Sequence, residues 1–215
     1  MHGGSLLRKS ALLAVLLGLF LTTAAYAQQG DATIGFGTTL SSGSNSCTFV
    51  SCTAPEKGGT YISVGADAIF HKREGIAFDA TWKASQGDFA GTGIPYRPIL
   101  IDFNGVYQPR LSKKVGFDLV AGIGWQDTRL YSSNYTCSYF SCTNYTSANH
   151  FLVDVGAGVR YYAWGNFFVR PEVRFYHIVG NTDNLLPNSG GFLGYSSNNV
   201  VRVGASIGYT IGGPQ

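Results

Sequence analysis

Apolar and polar residues alternate along this chain with a period of two, the mark of strands with one greasy and one polar face. The pattern recurs in eight segments. The predicted strands run about Asp31–Leu40, Thr60–Phe70, Gly75–Gln86, Pro98–Gln108, Val115–Arg129, Asn149–Tyr162, Phe167–His177 and Asn199–Ile211. In the sixth, Phe151, Val153, Val155, Ala157, Val159 and Tyr161 oppose His150, Asp154, Gly156, Gly158, Arg160 and Tyr162. In the seventh, Phe167, Val169, Pro171, Val173 and Phe175 oppose Phe168, Arg170, Glu172, Arg174 and Tyr176. The links alternate in length. His71–Glu74, Pro109–Lys114 and Ala163–Asn166 read as short turns. Ser41–Gly59, Gly87–Arg97, Leu130–Ala148 and Ile178–Asn198 read as longer loops, rich in Ser, Gly, Asn and Tyr.

The charges keep to one face. Asp67, Asp79, Asp102, Asp118, Asp154 and Glu172 share it with Lys83, Arg160, Arg170, Arg174 and Arg202. Charged residues make up only 13 % of the chain, against about 25 % in ordinary soluble domains. No segment after residue 27 offers the ~18 consecutive apolar residues of a membrane helix. A membrane-like composition without such a helix leaves a closed barrel, because in lipid every backbone polar group must be paired internally. Short turns on one side and long loops on the other are the outer-membrane pattern, and an even strand count puts both termini on the periplasmic side. Arg or Lys on the lipid face would cost ~2–4 kcal/mol near the midplane. The charged face is therefore expected inside, with a network formed among Arg170, Glu172, Arg174, Arg160, Asp154 and Arg202. An eight-stranded interior is only wide enough for side chains to fill, so these charges are expected to pair and plug rather than conduct. Phe70, Phe78, Tyr107, Phe117, Tyr161, Phe167 and Tyr209 are expected to ring one membrane boundary, with Trp82, Trp125, Phe151 and Phe175 near the other.

The N-terminus reads as a secretory signal over residues 1–27. Arg8 and Lys9 precede an apolar run of 11 residues, Ala11 to Leu21, and Ala25-Tyr26-Ala27 is an A-x-A cleavage site. The barrel domain would then be residues 28–215. The whole chain carries a formal charge of +3; loss of the two basic signal residues leaves 13 basic against 12 acidic residues. So balanced a chain has no electrostatic case for nucleic acid.

The four cysteines form two similar knobs in predicted outer loops, Cys47-Thr48-Phe49-Val50-Ser51-Cys52 and Cys137-Ser138-Tyr139-Phe140-Ser141-Cys142. Export to an oxidising compartment favours disulfides. The first and third loops of an eight-strand ring lie on opposite sides, so local bridges Cys47–Cys52 and Cys137–Cys142 are expected. The C-x4-C spacing is poor for zinc, and no cofactor is expected. The aromatic knobs suggest an extracellular ligand met through the loops. His177, near the rim with loop serines, is the one arrangement reminiscent of a lipid-modifying barrel enzyme, and no nucleophile motif supports it; no catalytic residue is assigned.

Val159-Arg160-Tyr161-Tyr162, Val169-Arg170-Pro171-Glu172-Val173-Arg174-Phe175-Tyr176 and Arg202-Val203-Gly204-Ala205-Ser206-Ile207-Gly208-Tyr209 resemble segments of the small OmpA-like and opacity-type outer-membrane barrels. The resemblance implies an all-β, closed, up-and-down antiparallel barrel of eight strands in the Gram-negative outer membrane. It also implies insertion by the barrel-assembly machinery, for which the closing strand looks like the recognition signal; Ile207 stands there in place of the usual aromatic residue. The residues leave three further readings open: a narrow pore for small solutes, a soluble lipocalin-like carrier with the faces reversed, and a lipid-modifying enzyme.

Overall fold

The computed structural model describes residues 29–41, 57–71, 73–88, 93–137, 142–179 and 199–212. Among them, eight long strands follow one another around a ring: β1 (Gln29–Ser41), β2 (Tyr61–His71), β3 (Glu74–Lys83), β4 (Pro95–Tyr107), β5 (Val115–Cys137), β6 (Cys142–Trp164), β7 (Phe167–Val179) and β8 (Asn199–Ile211). Each pairs antiparallel with its successor. β8 pairs back onto β1, from Gly30↔Ile211 to Ser41↔Val200. The ring therefore satisfies its own backbone and leaves no edge in the barrel body. A two-residue ladder, Gly87–Asp88, adds to β4 at Tyr96 and Pro95.

The two faces lie as the alternation predicts. Ile34, Phe36, Ile123, Phe151, Val173 and Ile207 are exposed on the outer wall, whereas Asp118, Arg170 and Arg174 are each 3 % exposed inside. A lipocalin-like carrier would need the opposite arrangement, so this fold overturns that reading. The outer wall also carries paired rings, among them Phe167 edge-on to Tyr209 at 4.8 Å between centroids.

Two features depart from the sequence-based expectation. Leu130–Cys137 and Cys142–Ala148 are strand, not loop. β5 and β6 are 23 residues each, against 10 to 13 for the other long strands, and they pair at Leu130↔Thr146 and Tyr131↔Tyr145 and, past a register shift, again at Thr136↔Thr143 and Cys137↔Cys142. β4 leaves β5 at Leu130 and β7 leaves β6 at Phe151, so the hairpin projects roughly 20 Å beyond the ring. Its Thr and Tyr residues have high strand propensity, and the Tyr131–Tyr145 ring pair and the Cys137–Cys142 disulfide hold its two arms together. A polar strand outside lipid needs no apolar alternation, which is why period two does not reveal it. The second departure is an apolar layer inside. Leu100, Leu152, Tyr176, Ile178 and Val200 form a fully buried cluster in the half of the lumen nearer the long loops. This apolar cluster sits beside buried Thr39, Gln126 and Thr128 in the same half, and a smaller one, Ile69, Ala77 and Val106, lies nearer the turns.

Candidate functional site: the charged lumen

The lumen is built by the inward positions of all eight strands. At the turn end, Arg160 on β6 bonds Asp118 on β5 at 2.9 Å and Asp67 on β2 at 3.3 Å, and it also holds Asp31 on β1. Arg170 on β7 shares two of these partners, reaching Asp67 at 3.2 Å and Asp118 at 3.3 Å. Nearer the loop end, Arg174 on β7 bonds Asp102 on β4 at 2.8 Å and Asp154 on β6 at 3.4 Å, with Asp79 on β3 at 3.8 Å. Arg202 on β8 bonds Asp79 at 3.1 Å. Glu172 joins the two tiers, accepting from Arg170 Nε at 3.1 Å and from Arg202.

Many of these links span the barrel. β2 faces β6 across the ring of eight, and β3 faces β7, so Arg160–Asp67 and Arg174–Asp79 run close to full diameters. Smaller groups complete the shell. Gln29 Nε2 donates to Asp31 at 2.9 Å, Thr81 Oγ1 to Asp79 at 2.8 Å, and Arg170 Nε to Ser206 Oγ at 3.2 Å. The Arg160 guanidinium lies 4.1 Å from the centre of the Phe168 ring. Buried charges are tolerable only when paired and hydrogen-bonded in this way.

Inward glycines create the room. Gly156 faces Arg174 across β6 and β7, and a Cβ there would stand 2.8 Å from Arg174 Cγ. At Gly158 the Cβ would stand 3.1 Å from Arg170 Cγ. Long side chains lie over these positions because nothing projects from them.

The expected network residues Asp67, Asp79, Asp102, Asp118, Asp154, Arg160, Arg170, Glu172, Arg174 and Arg202 all lie on this inner face. Asp154 meets Arg174 in the tier nearer the loop end. Lys83 lies apart from the arginine tiers, where its Nζ donates to the Tyr96 hydroxyl at 3.0 Å. Asp31 is a member that the expected set lacks. It stands at the start of β1, two residues before inward Thr33, and that phase marks it.

Outside the lumen, Cys137 and Cys142 are bridged at the hairpin tip; Cys47 and Cys52 lie outside the described residues. His177 shares a hydrogen bond with Asn199 Oδ1 at 2.9 Å, on the exposed wall. His150 is buried at the rim. No cluster of metal-ligating side chains occurs among the described residues.

Residues 11–189 match the family model described as outer membrane protein beta-barrel domain. The chain belongs to that family. Among solved structures, Neisserial surface protein A (NspA) shares 10 % identity at a TM-score of 0.53, covering 84 % of this chain and 95 % of its own. A major outer membrane protein from Thermus thermophilus shares 10 % identity at a TM-score of 0.51, covering 85 % of this chain and 99 % of its own. Ail, the attachment invasion locus protein of Yersinia pestis, shares 12 % identity at a TM-score of 0.50, covering 86 % and 99 %. Likeness at this level of identity establishes a common fold. No curated protein sequence matches at a significant level. Membership of the family gives the apolar wall its solvent, the lipid of the outer membrane, and makes the charged side the interior of a transmembrane barrel.

Proposed function

We propose that this chain is an integral outer-membrane barrel whose lumen is plugged by its own paired charges, and that its role is structural and surface-interactive. The observation that carries the reading is the reach of the four lumen arginines. Each bonds a carboxylate three or four strands away around the ring, so the guanidiniums fill the cross-section instead of lining it. The space left among Asp118, Gly158, Arg170 and Arg174 is about 10 Å³, room for roughly one water. On this reading residues 1–27 are removed on export, the barrel-assembly machinery inserts the rest, and the termini and short turns face the periplasm. The long β5–β6 hairpin then projects from the cell, its tyrosines offering recognition surface.

Narrow conduction is the second reading. It is favoured by the buried oxygens Asp102 Oδ2, Asp118 Oδ1 and Asp154 Oδ1, which have no hydrogen-bond partner among the described residues and could bind water. Liposome swelling separates the two. Vesicles carrying the refolded barrel should swell in arabinose no faster than empty ones; swelling in proportion to incorporated protein would sink the plug and favour the pore.

A further inference from the structure

At the turn end the lumen opens into a hollow of about 330 Å³. Arg73, Arg110 and Arg160 line it, against a single lining carboxylate among the described residues, Asp118. Arg160 is committed to Asp31, Asp67 and Asp118. Neither Arg73 nor Arg110 has a carboxylate within ion-pair distance among the described residues. The Arg110 guanidinium is steadied 5.4 Å from the centre of the Tyr162 ring. Its Nη2 is nevertheless buried without an acceptor among the described residues, and so is Nε2 of Gln108, whose amide oxygen accepts from Gln29 at 3.4 Å. The frame behind them is fixed: Gln108 N donates to Arg73 O at 2.7 Å and Phe117 N to Pro109 O at 2.9 Å.

A buried guanidinium nitrogen with no acceptor is costly. A tetrahedral oxyanion would supply acceptors to two guanidiniums and an amide together, in the forked geometry that arginine favours. The hollow is too small for a polymer. Its remaining wall includes Ile69 and the strand at Phe117, whose side chain faces the outer wall. We propose that this hollow binds a phosphoryl group on Arg73, Arg110 and Gln108, presented by a phospholipid headgroup or by free phosphate. The site is independent of whether the lumen conducts.

The test uses the full mature barrel refolded in octyl glucoside, which carries no phosphate. Inorganic phosphate is titrated calorimetrically. In parallel, barrel from phosphatidylethanolamine nanodiscs is analysed by native mass spectrometry for retained lipid. The proposal expects one saturable site in at least one arm. R110Q should weaken it about tenfold, the loss of one charge-assisted contact, and R110K should fall between. Lipid retention without phosphate binding assigns the headgroup; the reverse assigns the free anion. Absence of binding in both arms would overturn it. So would R110Q and R73Q proteins that show folded heat-modifiable mobility and bind like the parent. If R110Q fails to fold, the parent arms and R110K still decide.

Discussion

Arg174 and Arg202 stand directly opposite one another on β7 and β8, and both reach across the lumen to Asp79. Like charges in direct cross-strand register are unfavourable, and Asp79 on the far wall is the carboxylate that both arginines share, beside Asp102 and Asp154 on Arg174 and Glu172 on Arg202. Asp79→Asn should therefore cost about 3 kcal/mol, the scale for removing one partner from a buried ion network. Urea unfolding in lipid vesicles, followed by tryptophan fluorescence, measures it. D79N combined with R202M should cost less than the sum of the single changes, since residues in one network couple. Strict additivity would mean that Asp79 does not mediate between the arginines.

Burial sets the value of an ion pair here, and two aspartates show it. Asp31 is buried against Arg160, whereas the Asp127–Arg129 pair at the hairpin base leaves the arginine side chain 34 % exposed. D31N is expected to lower stability by about 3 kcal/mol, and D127N by no more than about 1 kcal/mol. The same vesicle unfolding assay compares them; equal losses would deny that Asp31 belongs to the buried tier.

Gly156 is kept empty for Arg174. Its Cβ in Gly156→Ala would meet Arg174 Cγ at 2.8 Å and Val120 Cγ2 at 2.9 Å. The variant should lose about 1–3 kcal/mol through overpacking, and an unchanged unfolding midpoint would show that the arginine has other room.

Where lipid and lumen impose opposite demands on successive residues, the sequence is easy to read. Phe117 and Asp118, or Val173 and Arg174, declare their faces as neighbours because misplacing either is expensive. The partners of each charge are not readable, since Arg160–Asp67 joins residues 93 positions apart through closure of the ring. Asp31 stands at a strand end, where alternation has little length to work on, so its phase with Thr33 is the one mark of its inward face. Leu152, Ile178 and Val200 hide for another reason: an apolar residue fits both the lipid phase and a dry layer inside, so hydropathy does not separate the two. The outer hairpin hides because its residues 131–133 and 142–147 face water or are only half-buried, without an apolar face, and only cross-strand pairing orders them.

Single-channel recording in planar bilayers bears most directly on the paired-charge plug. With insertion verified by heat-modifiable mobility of protein recovered from the same preparation, the parent barrel should show no resolved current steps above the bilayer background. An R174A/R202A barrel, stripped of two crossing guanidiniums, should conduct. Stable, voltage-independent steps from the parent protein would contradict the plug.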